Sequence, residues 1–233
     1  MFAGACRTGR STPGLLNSEE SMKHVTCYLD FVSPYAWLAF AQMPHALRGL
    51  NYHVDYRPVL LGALLQQNAN PGPAGIPAKR AWTYRHVSWL GHVHGVPLQM
   101  PARHPFKPLP LLRLALAHGQ GGSINRFVAE TVFRHVWQGG KEALEPARLD
   151  ALQRSLAPQL SSQADEEAVK QWLRGNTDEA AQAGVFGVPA WEVDGHVFWG
   201  LDGLPMLRAY LQGDAWFELQ WEASAGVDSG LNG

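Results

Sequence analysis

Residues 24–49, HVTCYLDFVSPYAWLAFAQMPHALRG, carry two patterns back to back. In HVTCYLDF (24–31) the apolar Val25, Cys27, Leu29 and Phe31 alternate with polar positions, Tyr28 apart, which predicts a strand. SPYAWLAFAQMPHALRG then predicts a helix. Ser33 stands at its N-cap, Pro34 at the first helical position, where a missing N–H costs nothing, and Gly49 lies beyond its end. NYHVDYRPVL (51–60) predicts a second strand. Strand, helix and strand in so short a span imply a right-handed crossover and a parallel pair.

The chain changes character after this unit. QQNANPGPAGIPAKR (66–80), with three prolines and two glycines, reads as loop. A helix is expected next, with Trp82, His86, Trp89, Leu90 and Val93 on one face and Gly95 and Pro97 ending it. Trp82, Tyr84 and Trp89 are expected in the core or an interface. A proline-rich turn (101–110) leads to a short apolar helix. Ser123 then caps a helix whose stripe is Ile124, Phe127, Val128, Thr131, His135 and Val136. Shorter helices are expected over about 147–157 and 165–174, and another capped by Thr177. Val188-Pro189 opens a strand, and Asp194-Gly195 makes a tight turn into the next one. LDGLPMLRAYLQG closes with a helix, and 213–233 reads as an extended tail whose Trp216, Phe217 and Trp221 can pack back.

Composition narrows the function. With 233 residues, 46% of them apolar, the chain can bury a substantial core. A formal charge of −1 without a basic run argues against a nucleic-acid partner. No apolar stretch approaches the roughly 18–20 residues of a membrane span, so no membrane partner is expected. The first 21 residues lack the apolar centre of a secretory signal and read as a disordered leader, with Met22 as the working start. Cys6 in the leader and Cys27 in a strand leave the folded part without a disulfide pair, which suits a reducing cytoplasm. His92 and His94, two apart on a helix, point in different directions, and no metal site is predicted.

The order β-α-β, helical block, α-β-β-α, with Val-Pro opening the third strand, resembles the thioredoxin fold. The helical block resembles the insertion of its DsbA and kappa-class glutathione transferase branches. YLDFVSPYAWLAF, NYHVDYRPVLLGALL, HGVPLQMPARHPFKP and AGVFGVPAWEVDGHVFWGLD, in that order, resemble the 2-hydroxychromene-2-carboxylate isomerase family. The resemblance implies an α/β thioredoxin-like fold with an all-helical insertion. Residues 22–66 and 175–212 would form the thioredoxin-like part, 67–174 the insertion, and 213–233 a C-terminal tail.

Where thioredoxin-like oxidoreductases carry Cys-x-x-Cys, this chain reads Ser33-Pro34-Tyr35-Ala36, so it cannot cycle a disulfide there. The helix N-terminus still favours a thiolate, and can draw down a thiol from its usual pKa of ~8.5. The resemblance implies glutathione as cofactor, with Ser33 donating to its sulfur and Val188-Pro189, in cis, presenting backbone to its cysteinyl unit. It further implies Asp202 against the γ-glutamyl ammonium, beside Leu201, and Asn70 on the tripeptide. Plainer roles stand beside each: an N-cap for Ser33, an edge-strand start for Pro189, a helix cap for Asp202, a turn for Asn70. Where the family has a small polar residue before this aspartate and often arginine after it, this chain has Leu201 and Gly203. Tyr35 and Trp37 are candidates for the substrate wall, one of them pointing into the core. Lys79 and Arg80 are candidates for a carboxylate, or simply solvated charge.

The implied activity is glutathione-dependent interconversion of 2-hydroxychromene-2-carboxylate and trans-o-hydroxybenzylidenepyruvate by reversible thiolate addition. The chain would act as a cytoplasmic homodimer on a small aromatic substrate. Two other readings stay open: a kappa-like transferase that conjugates electrophiles, and a redox-dead thioredoxin-fold binding protein.

Overall fold

The computed structural model describes residues 22–159 and 164–226; the expected leader, with Cys6, and the end of the tail lie outside them. β1 (Lys23–Leu29) and β2 (Tyr52–Pro58) form a parallel pair joined by α1 (Pro34–Ala46). The helix starts where the chain predicts: the Ser33 hydroxyl accepts the Ala36 N–H at 3.2 Å, and Pro34 occupies the first turn. β3 (Ala190–Val193) runs antiparallel to β1, and β4 (His196–Trp199) antiparallel to β3, giving the sheet order β2-β1-β3-β4. Asp194 and Gly195, with φ of 50° and 80°, make the turn between them, a left-handed pair that asparagine, aspartate and glycine tolerate best.

Between the two halves of the sheet lie α2 (Leu61–Gln67), α3 (Pro77–Val93), α4 (Leu109–Ala117), α5 (Arg126–Trp137), α6 (Pro146–Leu156) and α7 (Glu166–Gln182). α8 (Leu204–Leu211) and α9 (Trp216–Ala225) follow the sheet. α1 is apolar over most of its surface because most of it is covered, by α3, α5 and α8 and, through Phe40 on Tyr56, by the sheet. Phe133 of α5 joins the helical block to it, with ring centroids 4.9 Å from Phe31, 5.8 Å from Trp37 and 5.2 Å from Phe40. Beside it the buried Trp137 indole donates to the Phe31 carbonyl at 3.1 Å. A smaller cluster, including Tyr28, Val59, Leu64 and Val188, fills the other face of the sheet.

Several local expectations are corrected. Residues 66–67 end α2, and α3 begins at Pro77, so the loop is shorter than its composition suggests; proline at a helix start is no breaker. α5 is capped by Asn125, whose side chain accepts from Val128 N, while Ser123 instead donates to Asp55. The stripe turns with it: Val128, Val132, Phe133 and Val136 are buried and Phe127 is 49% exposed. α7 runs unbroken through Thr177, with Asp165 as its cap. The Thr177 hydroxyl donates back to Leu173 O and accepts from Leu60 N, which holds α7 to the start of α2. The expected extended tail contains α9, whose Phe217 and Trp221 pack on Phe198.

Candidate functional site

The β1–α1 junction is built around Asp30, which is fully buried. Its carboxylate accepts the N–H of Val32 at 3.1 Å and of Leu61 at 3.0 Å, and its carbonyl accepts the Ser33 N–H. One side chain thereby ties the loop before α1 to the start of α2. Burial pushes its pKa up to about 7, against the two N–H bonds that favour the anion. An unfolded aspartate releases its proton near ~3.9. The native state therefore holds more protons on Asp30 between these values, and the contribution of Asp30 to stability is greatest below the lower one and falls as pH rises towards the upper. Denaturant titrations from pH 4 to 7.5 should show this decline, and a smaller one in Asp30→Asn.

Ser33 is 6% exposed, and its hydroxyl donates to the Val188 carbonyl at 3.3 Å while it caps α1. The plain capping role is therefore real, and a second contact is added to it. The Val188–Pro189 bond is cis. The N–H groups of Val188 and of Tyr35, in the first turn of α1, have no partner among the described residues.

Ser33, Tyr35, Val188 and Pro189 line one cavity of about 1440 Å³, with mostly apolar walls such as Leu61, Leu65, Leu90 and Phe106. Asn70, Lys79 and Arg80 lie along it from the α2–α3 side, and Leu201 and Asp202 from the other. A second groove of about 930 Å³ runs along β2 and holds none of the predicted site residues.

Trp37 is corrected. It is 3% exposed, donates its indole N–H to Pro97 O at 3.0 Å, and stacks on Phe40. Of the two adjacent aromatics, Tyr35 takes the cavity and Trp37 the core. Trp82 and Trp89, expected in a core or interface, are 64% and 57% exposed. They flank His86, whose ring stacks between theirs.

Asp202 does not cap α8: Gly203 occupies the cap position, and no side chain bonds to it. The Asp202 carboxylate makes no hydrogen bond or ion pair among the described residues, and neither Lys79 nor Arg80 makes an ion pair there. Gly200, at φ 88°, lets the carboxylate fold back, since a Cβ there would lie 2.4 Å from Asp202 Oδ1. Gly203 is equally constrained: a Cβ would meet the Trp199 carbonyl at 2.6 Å, so this backbone has no place for an arginine. Asn70 does make a turn, accepting the Gly72 N–H at 2.9 Å.

Four histidines line the cavity, and two of them, His104 and His86, meet tyrosine hydroxyls there. His104 Nε2 lies 2.8 Å from the Val32 carbonyl, which can only accept, so this nitrogen carries the proton. Its Nδ1 faces the Tyr84 hydroxyl at 2.9 Å, and burial lowers its pKa. His86 Nδ1 lies 2.9 Å from the Tyr35 hydroxyl. Only the prolines around His104 set it apart in the sequence; nothing there links residue 86 to residue 35.

Among relatives, the chain is 26% identical to glutathione S-transferase kappa 1 of Rattus norvegicus over 206 residues, covering 81% of this chain and 90% of that protein. It is also 26% identical to a 2-hydroxychromene-2-carboxylate isomerase of Sphingobium xenophagum over 201 residues, covering 81% and 98%. A solved 2-hydroxychromene-2-carboxylate isomerase shares the fold, with a TM-score of 0.65 at 20% identity over 88% of this chain and all of that one. A probable DsbA oxidoreductase of Streptomyces coelicolor shares it at a TM-score of 0.59 and 18% identity, over 82% and 91%. Residues 24–212 match the family described as DSBA-like thioredoxin domain, and with the sheet order and helical block above, the chain belongs to that family.

Proposed function

We propose that this chain is a glutathione-dependent isomerase of the 2-hydroxychromene-2-carboxylate type, a cytoplasmic homodimer acting on a small aromatic substrate. The observation that carries the reading is the meeting of Ser33 and Val188 at the wall of a large apolar cavity, at a helix N-terminus without a cysteine. A single ligand pocket is usually roughly 300–1,000 Å³, so this cavity has room for a tripeptide and an aromatic acid together.

The residues present fit glutathione. The orphan N–H groups of Val188 and Tyr35 suit a peptide backbone and a thiolate. Asp202 offers an unpaired carboxylate to an ammonium, and Lys79 and Arg80 offer cations to a carboxylate. When bound, glutathione supplies the thiolate for reversible addition across a conjugated double bond, which permits cis–trans interconversion without consuming it. The protein's part is to stabilise that anion with Ser33 and the α1 N-terminus, and to hold the aromatic acid against the apolar wall.

Isothermal titration tests the reading. Glutathione should bind the wild-type chain, and Asp202→Asn should weaken binding about tenfold, the low end for a charge-assisted bond at an exposed site. Melting temperature should stay unchanged, because Asp202 makes no cap bond to lose. An absence of binding by the wild-type chain would overturn the assignment in favour of a binding protein without glutathione. A conjugating kappa-type transferase is the second reading, favoured by the rat relative at the same identity. Glutathione recovered unchanged after turnover marks the isomerase; glutathione consumed marks the transferase.

A further inference from the structure

In the isomerase reading, the substrate's double bond lies inside a six-membered ring. It cannot rotate until the bond between C2 and the ring oxygen breaks. C2 bears a hydroxyl, so breaking that bond is the opening of a cyclic hemiketal, which needs a base for the hydroxyl and an acid for the departing phenolic oxygen. Neither Ser33 nor the peptide-binding groups provide both.

We propose that Tyr35 and His86 are the acid–base pair that opens and closes this ring, a step apart from the thiolate chemistry; the proposal rests on the isomerase reading. The Tyr35 hydroxyl lies 2.9 Å from His86 Nδ1, and both residues line the cavity that holds Ser33. The imidazole is held flat between two indoles, at 5.9 Å and 16° from Trp82 and at 6.2 Å and 14° from Trp89. This clamp gives a physical use to two tryptophans that the core does not bury. Nε2 of His86 has no partner among the described residues, so the ring can pick up a proton on Nδ1 without losing a fixed bond. His104 differs, because both its nitrogens are committed to Val32 and Tyr84.

The pairing matters because burial, with the Asp202 charge adding to it, raises the Tyr35 pKa and keeps the phenol protonated. A protonated phenol accepts a proton only if it passes its own onward. During opening, the C2 hydroxyl proton moves to the Tyr35 oxygen as the Tyr35 proton moves to His86 Nδ1. The electron pair left on the C2 oxygen forms the carbonyl, and the pair of the broken bond leaves on the phenolic oxygen. That oxygen then takes a proton from Tyr35, which recovers its own from His86. No electron and no net proton enters or leaves. The other titratable and charged groups sharing this cavity are His45, His94, His104, Tyr84, Lys79, Arg80 and Asp202.

The test uses the full chain with saturating glutathione and two substrates: 2-hydroxychromene-2-carboxylate, and an open-chain o-methoxybenzylidenepyruvate that cannot cyclise. Tyr35→Phe and His86→Gln should each lower kcat on the cyclic substrate about a hundredfold, the low end for acid–base catalysis. Their loss on the methoxy analogue should be at least about tenfold smaller. The double variant should lose little beyond either single one, because the two act as a unit. Added imidazole should restore part of the activity of His86→Ala and none of that of Tyr35→Phe. Equal losses on both substrates, or variants that match wild type on the cyclic one, would overturn the pair while leaving the isomerase reading intact. A wild-type chain that binds glutathione but turns over neither substrate would overturn both.

Discussion

Ser33→Ala is expected to raise the pKa of the bound glutathione thiol by about one to two units and to cut turnover at pH 7 about ten- to a hundredfold. The Ser33 oxygen accepts the Ala36 N–H as a cap, and its own proton goes to Val188 O at 3.3 Å. That is long for a bond between oxygens, so the proton can turn to a charged sulfur and gain strength while the cap persists. A charge-assisted bond of this kind contributes roughly 1.5–3 kcal/mol, and losing it favours the neutral thiol. Activity should recover in part as pH rises and more thiol ionises unaided. The cap itself is worth ~1 kcal/mol of stability, which thermal unfolding reads separately. Rates are therefore compared per folded molecule. A thiolate absorbance titration and a pH–rate profile equal to wild type would leave Ser33 as a cap alone, with the helix N-terminus the sole support of the anion.

Phe133→Ala should destabilise the fold by about 3–5 kcal/mol, the cost of removing a large aromatic side chain from a filled core. Phe133 is fully buried and touches Phe31 of the β1–α1 loop together with Trp37 and Phe40 of α1. Its loss opens a cavity where the helical block meets the sheet. Such a loss is a large share of the ~5–15 kcal/mol that holds a typical domain together. Phe127→Ala, six residues earlier on the same helix, should change stability by less than about 0.5 kcal/mol, because that ring faces solvent. Urea midpoints of the two variants, at equal slope, check both. Equal effects would mean that α5 sits one face round from where it is described.

The contrast between these two phenylalanines also marks how far the sequence can be read. Both fit an apolar helical repeat, and the choice between them depends on the cap. Ser123 and Asn125 are both good N-caps, two residues apart, and the pairing of Ser123 with Asp55 on β2 leaves Asn125 to start the helix. The same limit holds for Tyr35 and Trp37. α1 is apolar over most of its surface, so its periodicity does not say which aromatic meets the core. Packing decides: Trp37 fits among Phe40, Phe133 and the Pro97 carbonyl, and Tyr35 is left facing the cavity.

What the sequence by itself determined is the local chemistry: the alternation of β1, the Ser33-Pro34 start of α1, the parallel crossover to β2, and the Asp194-Gly195 turn. These follow from backbone preferences acting over a few residues, and they suffice for the thioredoxin-like order of elements. Of the site residues singled out from the sequence, Trp37 lies in the core and the others line one cavity. Only the tertiary structure decided that Asp30 is buried between two loops, that Thr177 lies inside α7 and holds α2, and that His86 reaches Tyr35 from fifty-one positions away. Each depends on which elements pack together across long stretches of chain. Burial, and with it proton affinity and hydrogen-bond choice, is set by neighbours that a local pattern does not encode.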